Sequence, residues 1–174
     1  MPASPRDWAD PFLEQAREDL KAAWSVPASQ SASTFCMLLQ MVFEKLGKAA
    51  YARAGNVVPR THQAASLLFG MLLRHPAGEA LLQVNGNVRQ FVIELEAAHP
   101  QVARRQPQPW PQLEYPWEDP AAGTVFSPAR DLPLARRVRD PKDRIALDCL
   151  KFASALAKQL PVIVRKSSSG ARTD

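Results

Sequence analysis

The sequence predicts an all-α protein, an up-and-down antiparallel bundle of about five helices with a long loop rich in proline and aromatic residues before the last helix. Three observations carry this prediction. Apolar residues recur at three- and four-residue steps along several stretches, and proline or glycine marks the ends of those stretches. The single strand-like stretch would have no sheet to join. A chain of 174 residues fits one domain. Its expected extent is residues 1–161, with the loop at 100–141 and a polar, mobile tail at 162–174.

The first helix is expected from about Asp10 to Trp24, with Asp10 as cap and Pro11 at its first position. Phe12, Leu13, Ala16, Leu20, Ala23 and Trp24 share one face, and Glu14, Arg17, Glu18 and Lys21 take the other. Trp8 either extends this helix backwards or packs on its first turn. The second helix is the clearest. Ser31 or Ser33 caps it, Gly55 and Asn56 stop it, and Phe35, Leu38, Leu39, Val42, Phe43, Leu46, Ala49 and Ala50 follow a helical period. Gly47 costs this helix about 1 kcal/mol relative to alanine, and would let a neighbouring element approach closely.

A third helix follows Pro59, capped by Thr61 and ending at His75–Pro76. Residues 80–98 admit two readings. The Asn85–Gly86 pair between β-friendly residues is a hairpin signal, yet Leu81, Val84, Val88, Phe91, Val92 and Leu95 fit one helical face, and helix is favoured. Nine prolines fall between Pro100 and Pro141, so this segment is read as extended chain pinned by Trp110, Tyr115 and Trp117. The last helix is expected to open with Asp140 and Pro141, bury Ile145, Cys149, Phe152, Ala153, Leu156 and Leu160, and end at Pro161.

Composition narrows the function classes. No leader-like segment and no apolar run near the ~20 residues of a membrane span is present, so a cytoplasmic protein without membrane contact is expected. Residues 1–100 carry nine basic and nine acidic side chains. Residues 101–174 carry thirteen and eight, the whole of the net +5. The basic run from Arg136 to Arg144 makes Arg136, Arg137 and Arg139 candidate phosphate contacts, with a solvated helix lead-in as the blander reading. Cys36 and Cys149 read as buried, reduced thiols. His62, His75 and His99 are far apart in sequence and neither cysteine has a partner at ligand spacing, so no metal or cofactor is expected. No phosphate loop, nucleophile elbow or zinc-protease pair is present.

The stretch "ASTFCMLLQMVFEKLGKAAYARAG" followed by "VPRTHQAASLL" resembles the second and third helices of HEPN domains. Glu44, Lys45, Lys48 and Ala49 match the polar core of the family's second helix, and Thr61 and His62 match its Thr-His dipeptide. "WADPFLEQAREDLKAAW", with Ala16, Asp19 and Leu20, looks like the first helix, and "LEYPWEDP" is similar to the segment before the final one. The resemblance implies a helical bundle, commonly a homodimer, often encoded beside a minimal nucleotidyltransferase or within defence systems. Many members are metal-independent ribonucleases with an Arg and a His a few residues apart on the last helix. This chain departs from that pattern, because no histidine follows Arg139 or Arg144.

The expected function is therefore a non-catalytic HEPN-like module that dimerises and binds a partner protein such as a nucleotidyltransferase, or a nucleotide. Its expected ligand face is Glu44, Lys48, Arg53, Arg60 and His62. The alternatives are a divergent ribonuclease that holds RNA through its arginines, and a structural subunit whose proline-rich segment wraps a neighbour.

Overall fold

The computed structural model describes residues 3–83, 85–103 and 111–167, with side chains through Val164. The described chain is mostly helical: nine α-helices and one two-stranded sheet. After a 3-10 turn at Pro5–Trp8 come α1 (Ala9–Ser25), α2 (Ala32–Arg53), α3 (Ala64–Leu72), α4 (Pro76–Gln83), α5 (Gly86–Ala97) and α6 (Pro100–Ala103). Strands β1 (Trp117–Asp119) and β2 (Thr124–Phe126) follow, then α7 (Pro128–Asp131), α8 (Pro133–Arg139) and α9 (Ile145–Ser167).

Helix α2 is the axis of the fold. It touches α1, α3, α5, α8 and α9, and Phe35, Leu39, Val42, Phe43, Leu46 and Ala49 on it are fully buried. A helix covered on so many sides is a core helix, and its few polar side chains must be satisfied internally. The Phe152 ring of α9 stacks on Phe43 of α2 at 5.9 Å and on Phe69 of α3 at 6.4 Å between centroids. Cys36 and Cys149 are free and buried, as expected, and burial pushes the Cys36 thiol up to about 12.

Gly47 does what its position suggests. A Cβ there would lie 2.1 Å from the Ala64 carbonyl oxygen, so only the missing side chain lets the start of α3 rest on α2.

Several boundaries differ from the sequence reading. Helix α1 begins at Ala9, ahead of Asp10, and Trp8 packs on Phe12 from the preceding turn at 6.1 Å. Trp24, expected inside, is half exposed. Helix α3 starts at Ala64, because Thr61 Oγ1 accepts the Gln63 N–H and holds a turn instead of capping a helix. The helix favoured over a hairpin at residues 80–98 is present, but as α4 and α5 instead of one element. The Asn85 carbonyl accepts from the Val88 and Arg89 amides, so the pair opens α5. Val84 lies outside the described residues.

The 100–141 segment is not simply extended. It supplies α6, the β1–β2 hairpin, α7 and α8, and it is anchored by Leu113 and Trp117, which stacks on Phe126 at 5.6 Å across the hairpin. Tyr115 is exposed and contributes no anchor, and Trp110 lies outside the described residues. The last helix opens at Ile145, whose amide is capped by Asp143 Oδ1 at 3.0 Å, not at Asp140 and Pro141. Pro161 sits inside α9, which continues to Ser167. Ile163 and Val164 beyond it are buried, and that burial offsets the lost backbone hydrogen bond. The tail therefore does not begin at 162, and residues 168–174 lie outside the described chain.

Two glycine substitutions separate close approach from helix propensity. Gly47→Ala should destabilise the protein by about 2 kcal/mol or more, because the backbone of Ala64 must move. Gly70→Ala, with open space at its Cβ, should stabilise it by up to about 1 kcal/mol. Urea denaturation of the two variants beside the parent measures both signs.

Candidate functional site

The candidate site grows from the one buried carboxylate on α2. Glu44 is 9% exposed and cannot stand unpaired there. Lys48, one turn on, donates to Glu44 Oε1 at 2.6 Å, and Gln40, one turn back, donates to Oε2 at 3.1 Å. The third partner comes from the turn before α3: His62 Nδ1 lies 2.9 Å from Glu44 Oε2. Burial alone would raise the Glu44 carboxyl. The hydrogen bonds of Lys48, His62 and Gln40 and the charge of Lys48 outweigh it, and hold the group below its ordinary value.

A fourth side chain arrives from the far end of α5. The His99 ring stacks on His62 at 3.7 Å between centroids and 13° between planes. His99 is buried, its Nδ1 lies 3.2 Å from the Gln101 amide, and its Nε2 lies 3.9 Å from Glu114 Oε1. Burial, then the neighbouring His62 and Lys48 against Glu44, drive its pKa down to about 4, so the ring is neutral at neutral pH. One turn earlier on α5, Glu96 accepts hydrogen bonds from the Ser66 amide and hydroxyl, while its Oε1 has no partner among the described residues. Burial, reinforced by the Glu44 charge, raises the Glu96 carboxyl.

Of the five residues chosen from sequence, Glu44, Lys48 and His62 do meet. Arg53 does not join them, because it pairs with Asp10 at the start of α1. Arg60 is exposed and lies across a cleft of about 520 Å³ whose walls include Trp8, Phe12, Lys48, Val57 and Pro59. Lys48 Nζ belongs to both places, lying 5.9 Å from the Phe12 ring centre as well as on Glu44. The sequence reading missed His99, Gln40 and Glu96. Gln40 could have been found four residues before Glu44 on the same face, whereas His99 is brought close only by the docking of α5.

The basic candidates lie elsewhere, on α8. Arg137 pairs with Asp143 at 3.1 Å and sits over the Phe91 ring, Arg139 donates to the Ala129 carbonyl, and Arg136 is exposed. The cleft beside Arg137, about 450 Å³, holds Lys142 and Arg144 but also Asp140, Asp143 and Asp148. Its charges balance, so it has no net pull on a phosphate.

The expectation that the histidines stand too far apart for a metal is overturned for two of them. One ligand atom each from Glu44, His62 and His99 falls within 4.8 Å of the others. No helix of the described chain is long and apolar enough to cross a membrane. Comparison of the chain with protein-family models, curated proteins and solved structures finds no match.

The His99 pKa carries a stability consequence with a fixed sign. The unfolded chain binds a proton on this ring near 6.5 and the folded chain only near 4. Stability from this group is therefore complete above 6.5 and is lost as pH falls toward 4. The slope between those limits is at most about 1.4 kcal/mol per pH unit. His99→Gln should flatten the acid limb of the stability profile in that window, as read by denaturant midpoints at successive pH values.

Proposed function

We propose that the protein is a non-catalytic HEPN-like binding module that dimerises and takes a nucleotide, or a nucleotidyltransferase partner, at the face beside Glu44, Lys48 and His62. The observation that carries the reading is the convergence of motif residues from two separate stretches on one polar centre, with the Trp8–Phe12–Arg60 cleft adjoining it through Lys48. The mutual contacts of α1, α2, α5 and α9 support the finer architecture this implies, a bundle of antiparallel helices. In the cleft, Trp8 and Phe12 offer flat surfaces to a base, and Arg60 offers a fork of donors to phosphate.

Purine mononucleotides titrated into the protein by calorimetry should bind. Trp8→Ala and Arg60→Ala should each weaken binding roughly tenfold while leaving the circular dichroism unchanged. Light scattering should give a dimer. A monomer with no nucleotide heat and no captured nucleotidyltransferase overturns the proposal.

One observation favours a second reading, RNA cleavage. A carboxylate on His62 Nδ1 leaves the other ring nitrogen of a half-exposed imidazole as a general base. It requires cleavage of single-stranded RNA in the presence of a chelator, lost in His62→Gln. An RNA panel left intact removes it.

A further inference from the structure

We propose that Glu44, His62 and His99 form a binding site for a divalent transition metal of the zinc class. The proposal goes beyond the binding-module reading and does not rest on it. It starts from placement. Three ligands come from three separate elements: a carboxylate from the buried side of α2, an imidazole from the turn before α3, and an imidazole from the turn after α5. Among the described residues, no other group of three such side chains converges.

The distances suit a single ion. Donor atoms held about 2.1 Å from one tetrahedral metal lie about 3.4 Å from each other. The Glu44 Oε2 to His62 Nδ1 contact, 2.9 Å, has to open by about half an ångström, and the other separations, all within 4.8 Å, have to close by up to about 1.4 Å. His62 and His99 stack almost in parallel, so the partly exposed His62 has to rotate out of the stack for the planes of both rings to contain the ion. Two imidazoles and one carboxylate leave the fourth position of the ion open to water or to a ligand, the pattern of reactive rather than purely structural zinc sites.

The surroundings match what a metal needs. Ligating carboxylates are oriented by hydrogen bonds on the remaining oxygen, and Lys48 supplies one to Glu44 Oε1 at 2.6 Å. Lys48 also opposes the ion by its charge. Glu114, 3.9 Å from His99, supplies a compensating carboxylate. His99 Nδ1 accepts from the Gln101 amide, and ligation through Nε2 would put the ring proton on Nδ1 and break that hydrogen bond.

The third histidine, His75, lies outside the cluster and provides the control. The full-length protein, stripped with chelator and dialysed, is titrated with zinc by calorimetry and with cobalt by visible absorption. The parent and His75→Gln should each take one zinc per chain, with a rise in Tm, and cobalt should give the absorption of a four-coordinate site. His62→Gln and His99→Gln should weaken binding by more than the roughly 10–100-fold that outer-shell changes cost. No zinc heat and no Tm shift in the parent overturns the proposal, whatever the variants do. Binding that survives in both His62→Gln and His99→Gln, or that is lost in His75→Gln, overturns it as well. If His99→Gln does not fold, His62→Gln and the parent stoichiometry decide. Nucleotide binding measured in chelator tests the binding-module reading separately.

Discussion

A carboxylate buried on the central helix is the constraint from which the rest of this structure follows. Glu44 sits on α2 among residues with almost no exposure, and an unpaired charge there costs several kcal/mol. Lys48 and Gln40 lie on the same helix, one turn to either side, and are available before any tertiary contact forms. They do not complete the set. Lys48 serves Oε1 and Gln40 serves Oε2, and His62, from another part of the chain, adds a second contact to Oε2. This requires the turn after α2 to fold back over the helix it has just left. Gly47 makes the return possible, since any side chain there would collide with Ala64.

The same region receives a second carboxylate, and the two do not share charge freely. Glu96 is held by Ser66 on α3, so α3 is tied to α5 as well as to α2. Its raised pKa favours the protonated form near Glu44, which lowers the repulsion between the two. Docking of α5 by Phe91, Val92 and Leu95 carries His99 onto His62. The apolar core therefore sets the position of the polar centre, and the polar centre fixes the register of α2, α3 and α5.

Much of the helical skeleton was legible because periodicity reports burial directly. Phe35 through Ala50 on α2 and Ile145 through Leu160 on α9 read correctly as single apolar faces. Over residues 80–98 the helical face of Val88, Phe91, Val92 and Leu95 outweighs the Asn85–Gly86 hairpin signal, as expected, although the stretch forms α4 and α5 instead of one helix. Elsewhere tertiary burial overrides local punctuation. Pro161 ends an isolated helix, yet Ile163 and Val164 gain enough by burial to carry α9 past it. The aromatic-rich loop was half legible. Trp117 is an anchor, while Tyr115 is not, and composition alone cannot rank them. For the site, the Glu44–Lys48 spacing is written in the sequence, but the partnership of His62 with His99 is a product of how α3 and α5 pack.

The composition of the polar centre is what motivates the binding reading proposed above. A network whose only role is structural does best when every group is satisfied, and replacement by apolar residues then costs little or even stabilises. Here a stacked imidazole pair, two carboxylates and an ammonium are gathered in one place, and Glu96 Oε1 has no partner among the described residues. His62 keeps about a third of its side chain open, and Lys48 forms part of the wall of the adjoining cleft. In the binding reading proposed above, recognition works at short range, through the donors of Lys48 and His62 and the aromatic wall of the adjoining cleft.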